Sequence, residues 1–385
     1  MIEEFKVELE DPQRIYFSGD DLRGHIILHV KAPYDLKCVA IRFVGEAKFR
    51  LPEESLNEKM NLKRKRKQLK NTLKKIRRKN KICPAPISTN EDTKVVAGEV
   101  KNNATLKKKR LMRFSSETYF DKRDILFGHN YSSYREHLPA GTHCLPFAFT
   151  LPANLPTSYV GRRAFIHYYC EAVIERWNKP SVAQKTHFTV SEVVDLNNDP
   201  RADMSCSVTK NSSCWMLCCP RGTILVTGRL THQGVVCGQA VPLEADIHNM
   251  TNYNINQSYL SIIQVTSYLN SHGIAVCEDE RLVLEVKNGR IPKGEFVIWP
   301  ENKMKVPPLP PTSQSRTLCK IIVISYRVQI RLKLSMKGES VTVNLPLIIG
   351  NIPFRKDFKN LEYDDDENQP HNRIIFQKAI PNQDF

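Results

Sequence analysis

From Phe5 to Ile349 the chain returns again and again to one pattern, apolar residues alternating with polar ones over runs of strand length. FKVEL sets Phe5, Val7 and Leu9 on one side, HIILHV sets Ile26, Leu28 and Val30 together, and VAIRF does the same for Val39, Ile41 and Phe43. A period of two marks a strand with one face buried. The intervening SGDDLRG and KAPYD carry the glycine, proline and aspartate that turns require. FIHYYCEAVI repeats the alternation with Ile166, Tyr168, Cys170, Ala172 and Ile174, and HFTVSEVV follows it. GTHCLPFAFTLPANLPTSYVG has prolines at positions 146, 152 and 156. Proline cannot donate to a central ladder, so this run reads as an edge strand entering a fixed loop.

LNNDPRAD, residues 196–203, has the composition of a linker or an interdomain turn. A second alternating set follows: Ile224, Val226 and Gly228; Val241, Leu243, Ala245 and Ile247; Leu282, Leu284 and Val286; then YRVQIRLKL and VTVNLPLII. Helical spacing is confined to one basic stretch, with room for a helical turn around Leu260 to Asn270. A chain of 385 residues favours two domains of roughly 170 over a single core. The pattern therefore predicts an all-β protein of two tandem antiparallel β-sandwiches, immunoglobulin-like, over residues 1–195 and 204–353. Residues 196–203 link them. Residues 354–385, with five acids between Glu362 and Glu367, are expected to form a flexible acidic tail outside either core.

Several classes of function are disfavoured. The longest apolar runs, LPLIIG and CKIIVI, are about a third of a bilayer-spanning length. MIEEFKVELEDP lacks the apolar stretch of a signal peptide. Eleven cysteines, an odd number, suit reduced thiols in the cytosol better than a disulfide framework, and sequons such as Asn249-Met-Thr are then chance matches. GxSxG, HExxH and phosphate-binding glycine loops are absent, so catalysis is not expected and no catalytic residue or cofactor is assigned. Cys206, Cys214, Cys218 and Cys219 are the best metal candidates, the four-residue step from Cys214 to Cys218 being plausible for zinc. Three readings stand beside one another: buried thiols packed with Trp215, Met216 and Leu217, a lipidated or membrane-near cluster, and a metal site; buried thiols are favoured and no metal ligand is assigned. His25, His29, His129, His137, His143 and His167 lie singly, without ligand spacing.

The net charge of +16 is local, because Lys59 to Lys81 holds thirteen Lys or Arg and no acid, leaving +3 elsewhere. The cations Lys63, Arg64, Lys65, Arg66, Lys67, Lys70, Lys74, Lys75, Arg77, Arg78 and Lys79 surround Leu62, Leu69, Leu73 and Ile76, whose spacing of seven, four and three is a helical stripe. Such a stretch fits an anionic membrane surface, a nuclear import signal, a solvated loop or, last, nucleic acid, since it lacks aromatics for base stacking.

YFSGDDLRGHIILHV at 16–30, GTHCLPFAFTLPANLPTSYVG at 141–161, FIHYYCEAVIERW after it, RGTILVTGRLTHQGVVCGQAVPLEADIHNMTN, and the closing VPPLPPTSQSRTLCKIIVISYRVQIRLKL and VTVNLPLIIGNIP together resemble the α-arrestins, the arrestin domain-containing proteins. The resemblance covers residues 5–58 and 110–353. It implies a two-lobed β-sandwich adaptor without an active site, which binds cytoplasmic regions of membrane receptors or transporters and engages ubiquitin ligase or coat machinery so that cargo is endocytosed, sorted or ubiquitinated. Such an adaptor is cytoplasmic, with recruitment to plasma membrane and endosomes. A nuclear or nucleic-acid-associated scaffold using the basic insertion is the alternative. Two departures matter: no PPxY motif occurs, so ligase recruitment is expected to be indirect, and the basic insertion at 59–81 is foreign to the family pattern. PPLPP at 307–311 resembles a structural segment and is not counted as a ligand motif.

As a free peptide, residues 59–81 should be largely unfolded in water, because like charges repel and helices of this length are marginal even without repulsion. Circular dichroism with phosphatidylserine vesicles should show helix and binding arriving together, weakening strongly between about 0.05 and 0.5 M salt. Replacing Leu69 and Leu73 by serine should remove most of the affinity; an unchanged affinity would mean a purely electrostatic tether.

Overall fold

The computed structural model describes residues 2–51, 113–129, 135–216, 219–270, 272–300, 304–313, 318–334 and 340–359. The chain forms two compact units, one of residues 1–49 with 115–385 and one of residues 50–114, of which only the strand ends 50–51 and 113–114 are described. All that follows concerns the first unit.

The first sandwich consists of β1 (Ile2–Leu9), β2 (Ile15–Tyr16), β3 (Asp21–Val30), β4 (Tyr34–Leu36), β5 (Cys38–Leu51), β6 (Arg113–Gly128), β7 (Glu136–Leu138), β8 (Gly141–Thr150), β9 (Tyr159–Val160), β10 (Ala164–Glu175) and β11 (Val182–Val190). One layer has the order β1-β3-β8, the other β2-β11-β10-β5-β6 with β9 against β10. The proline-bearing β8 does lie at an edge, where a missing donor costs nothing. Inward residues read from the alternation, Ile26, Leu28, Ile41, Phe43, Tyr168, Cys170 and Ile174, are all buried. Phe43 stacks on Phe149 with ring centroids 4.5 Å apart, closing the two layers over one another.

The second sandwich consists of β12 (Cys206–Met216), β13 (Cys219–Leu230), β14 (Gly234–Val236), β15 (Leu243–Thr251), β16 (Ile255–Leu269), β17 (Ala275–Ile291), β18 (Phe296–Trp299), β19 (Ile322–Leu334) and β20 (Ser340–Gly350), followed by a short helix, α1 (Arg355–Lys359). Its layers run β12-β13-β15-β18 and β14-β20-β19-β16-β17. Antiparallel pairing prevails; β2 with β11 and β14 with β20 are parallel.

Three expectations need correction. No helical turn lies at Leu260 to Asn270; Leu260 to Leu269 belong to β16 and Asn270 directly follows it. Apolar and polar residues stop alternating there because both faces of β16 are covered, the outer one by the Arg327–Glu280 and Arg331–Glu285 pairs that reach across it from β19 to β17, so Ile262 and Ile263 are buried alike, as are Ser261, Gln264 and Thr266. Leu282 does not share a face with Leu284 and Val286. Ile262 pairs with Leu284 and Ile263 with Leu282, so Val283 is an extra residue, and this β-bulge turns Leu282 outward, 53% exposed. Finally, the tail begins later than composition suggests: Phe354 is buried with Leu196, Ala202 and Ile348, and α1 follows it. Residues 360–385 lie outside the described residues.

Two polar groups carry structural weight. Asn249 has no exposed surface; its amide donates to the Tyr253 and Pro292 carbonyls, each at 2.8 Å, and its Oδ1 accepts the Thr251 hydroxyl at 2.7 Å. It thereby joins the end of β15 to the loop between β17 and β18. On the outward face of the first sandwich His167 is stacked on Phe165 with centroids 4.3 Å apart, and its pKa is pushed down to about 4 by burial and by neighbouring His187.

Asn249→Ala should cost about 1–3 kcal/mol in urea unfolding, since it removes a fully buried amide that bonds the buried Thr251 hydroxyl and the Tyr253 and Pro292 carbonyls. His167 stays neutral in the fold while the unfolded chain takes up a proton near the ordinary value of about 6.5, so stability falls as pH drops from there toward 4. After allowance for solvent screening this amounts to about 1–2 kcal/mol. His167→Gln should flatten that part of the pH profile relative to the parent, read by denaturation midpoints between pH 7 and pH 4.5.

Candidate interaction surfaces

The seam between the sandwiches is built from polar side chains set on well-packed strands. Tyr159 follows the fixed loop after β8, and its hydroxyl meets Thr266 Oγ1 on β16 at 2.8 Å in a buried position. Gly161 is required beside it, because a Cβ there would lie 2.3 Å from the Tyr159 hydroxyl. Arg163 reaches from the start of β10 to Cys277 Sγ at 3.0 Å and Asp279 Oδ1 at 3.5 Å, while the Tyr268 hydroxyl donates to Asp279 Oδ2 at 3.0 Å. The Tyr268 ring also packs on Phe49, centroids 5.4 Å apart. Farther along, the Lys320 amide donates to Glu117 Oε2 at 2.8 Å. At the other end of the seam Asn351 Oδ1 accepts the Val194 amide at 2.6 Å and its Nδ2 donates to the Glu192 carbonyl at 2.7 Å.

The outward face of the five-stranded layer in the second sandwich is ordered by charge. Arg327 and Arg331 stand on β19, and across the apolar β16 stand Glu280 and Glu285 on β17. Arg327 Nη2 meets Glu280 Oε2 at 2.6 Å, and Arg331 meets Glu285. The Arg331 and Lys333 charges also lie over the Tyr259 ring, each 5.0 Å from its centroid. Because the bulge brings Leu282 outward, an open depression of about 250 Å³ forms there, floored by Ile263 and Leu282 and walled by Glu280, Glu285, Gln329 and Arg331. An apolar floor between acidic and basic walls suits an extended peptide with an aliphatic residue flanked by charges of both signs.

The matching face of the first sandwich carries an aromatic row. Phe165, His167 and Tyr169 alternate along β10; His187 on β11 lies 5.4 Å from both His167 and Tyr169, and the Lys185 ammonium sits 4.4 Å from the Tyr169 centroid. Arg42 Nε donates to Asp121 Oδ1 at 2.7 Å, an interaction that holds the Asp121 carboxyl below its usual range.

The basic segment Lys63 to Lys79, with its stripe Leu62, Leu69, Leu73 and Ile76, lies outside the described residues. Of the cysteine cluster, Cys206 is a half-buried free thiol at the start of β12. Cys214 and Cys219 lie on the two arms of the β12–β13 hairpin, where Trp215 pairs with Pro220 and Met216 with Cys219, and Cys218 is outside the described residues. Among the described residues no three metal-ligating side chains come together. The charged lattice of Glu280, Glu285, Arg327 and Arg331 was missed in the sequence reading. Half of it was visible, as the polar positions of YRVQIRLKL; the acidic half needed the register of β17, which the bulge shifts.

Comparison with known proteins agrees with this architecture. The model of the arrestin (or S-antigen) N-terminal domain matches residues 5–99 and 83–197, and that of the arrestin (or S-antigen) C-terminal domain matches residues 220–354. Arrestin domain-containing protein 17 of Caenorhabditis elegans is 24% identical over 366 residues, 91% of this chain and 71% of that protein. Arrestin domain-containing protein 1 of Homo sapiens is 32% identical over 219 residues, 56% of this chain and 48% of that protein. Arrestin domain-containing protein 4 of Mus musculus is 28% identical over 219 residues, 56% of this chain and 51% of that protein. The match thus spans about half the length of these two mammalian relatives. With both arrestin domains matched in order along two tandem β-sandwiches, the chain belongs to the α-arrestin family of arrestin domain-containing proteins.

Proposed function

We propose that the protein is a non-enzymatic trafficking adaptor that binds cytoplasmic segments of membrane receptors or transporters and promotes their endocytosis, sorting or ubiquitin-dependent regulation. The observation that carries this reading is the outward face of the second sandwich, where Arg331, Glu280 and Glu285 frame an apolar spot in which Leu282 is exposed above buried Ile263. A sheet face of that kind offers pockets for side chains without any group poised for bond chemistry. Membership of the arrestin family supports the adaptor role in its general form. Ligase or coat machinery would be engaged through a second, motif-bearing protein, since the 385 residues hold no PPxY sequence. In this reading the protein is cytoplasmic and is drawn to plasma membrane and endosomes by cargo, with residues 59–81 adding affinity for anionic lipid. No described helix is long and apolar enough to cross a membrane, in keeping with recruitment from outside the bilayer. The sandwiches are taken to divide at residues 196–203.

Full-length protein passed over an array of cytoplasmic peptides from membrane proteins should retain a subset. Arg327→Glu with Arg331→Glu should weaken that subset at least tenfold, about 1.4 kcal/mol, while the far-ultraviolet spectrum is kept. Undiminished retention would remove this face from the proposal. Calorimetry against a tandem WW-domain protein should give a dissociation constant weaker than about 100 μM; a micromolar complex would show that a direct ligase contact exists.

A further inference from the structure

Of all the asparagines in the chain, Asn288 alone is followed by glycine. The fold itself calls for that glycine. β17 leaves its ladder a second time near its end, where Ser258 of β16 pairs with Gly289 and Tyr259 with Lys287, so Asn288 is an extra residue without a partner across the sheet. Gly289 has φ +89°, the left-handed backbone that a bulge of this kind asks of its glycine, and no atom lies within 4 Å of the place a Cβ would take. The Ser258 hydroxyl donates to the Gly289 carbonyl at 2.8 Å, which fixes the bulge on its carbonyl side.

Restraints that hold other asparagines are missing at this position. The Asn249 side chain is tied to three partners, and Asn351 bonds on both sides of its carboxamide. Asn270 Oδ1 accepts the His272 and Ile274 amides at 2.9 and 3.0 Å. Asn288 Nδ2, by contrast, is buried and has no hydrogen-bond partner. A buried amide left unmade costs free energy without holding the side chain. β17 is also an edge strand, with β16 on one side and no described strand on the other. An unheld carboxamide beside a residue with no side chain to obstruct the approach is the arrangement in which an asparagine closes on its own main chain, the chemistry that makes this residue type thermolabile.

The geometry points to Asn288 as a site of spontaneous succinimide formation, deamidating in the folded chain ahead of the other described asparagines. The Gly289 main-chain nitrogen gives its proton to hydroxide and attacks Asn288 Cγ. A C–N bond forms, the Cγ–Nδ2 bond breaks, and Nδ2 takes a proton from water and leaves as ammonia, which restores the hydroxide. Water then opens the five-membered ring at one carbonyl or the other, giving aspartate or isoaspartate. Either product carries a carboxylate where a neutral, buried amide nitrogen stood, a charge without a partner. Isoaspartate also adds a methylene to the main chain between the Tyr259–Lys287 and Ile255–Ile291 pairs, so the end of the ladder loses its register. The strand that carries Glu280, Leu282 and Glu285 therefore ages from this end.

Full-length protein, kept folded at neutral pH and body temperature for days to weeks, is digested at glutamate, which releases Val286–Glu295, and read by mass spectrometry with the aspartyl and isoaspartyl forms separated. Asn288 should gain about one mass unit at least fivefold faster than Asn211 or Asn270, each of which precedes serine, with isoaspartate the larger product. The rate should rise severalfold from mildly acidic to mildly alkaline buffer, because the attacking nitrogen must be deprotonated. Gly289→Ala should slow the reaction at least tenfold; loosening of the bulge by that change would speed it, so slowing identifies the attack itself. Asn288→Asp, which stands for the aspartyl product, should melt about 2 °C or more below the parent. An intact Asn288 while Asn211 or Asn270 reacts, a product without isoaspartate, or a rate unchanged by Gly289→Ala would each overturn the proposal. An Asn288→Asp chain as stable as the parent would overturn the loss of strand drawn from it.

Discussion

Asn351, just past the last strand, takes the Val194 amide on one side of its carboxamide and gives its protons to the Glu192 carbonyl and, at 3.4 Å, the Ser191 hydroxyl on the other. The chain leaving the first sandwich is thereby bonded to the chain leaving the second. Gly350 makes the approach feasible, because a Cβ there would lie 2.8 Å from Leu196 and 2.9 Å from the Val194 carbonyl. Leu196 then packs with Ala202, Ile348 and Phe354, so the segment that composition marks as a linker is anchored on both sides. Without this clamp the two sandwiches would be held by the packing of Phe49 on Tyr268 and by a handful of polar contacts, among them Tyr159 with Thr266, Arg163 with Asp279 and Glu117 with the Lys320 amide. Individually such bonds contribute about 1 kcal/mol each.

The division of labour between cores and faces follows from the same chemistry. Inside each sandwich, burial of residues such as Phe43, Ile262 and Val328 supplies the stability and leaves no choice about which face of a strand turns inward. The outward faces are free of that demand. On the second sandwich, the arginines of β19 lie across β16 to the glutamates of β17, which keeps a charged surface near neutrality while covering apolar residues with aliphatic stems. A surface so arranged recognises by pattern more than by net charge, as an adaptor for varied segments requires.

Much of this was legible in the residues. Strand existence, the all-β class and the inward residues of β3, β5 and β10 followed from a period of two, because those strands have one wet face and one dry one. Where that condition fails the reading fails: β16 is dry on both faces, and its even burial hides its nature. The β17 bulge was invisible because one extra residue, Val283, changes the phase without changing the composition. Phe354 was assigned to the acidic tail since its partners Leu196 and Ala202 are distant in sequence. The charged lattice and the His167–His187 contact depend on register between strands, which no single run of residues encodes.

The clamp at Asn351 has a temporal side. Its partner Ser191 lies 160 positions earlier in the chain, so on a ribosome the first sandwich is complete long before the residue that secures its neighbour has emerged. Until then Tyr159, Arg163 and Glu117 face water with their partners unmade and Phe49 waits for Tyr268, a surface tolerable during synthesis because it is mostly hydrophilic. A greasy seam of equal extent would have been a site for misassembly between nascent chains on the same message.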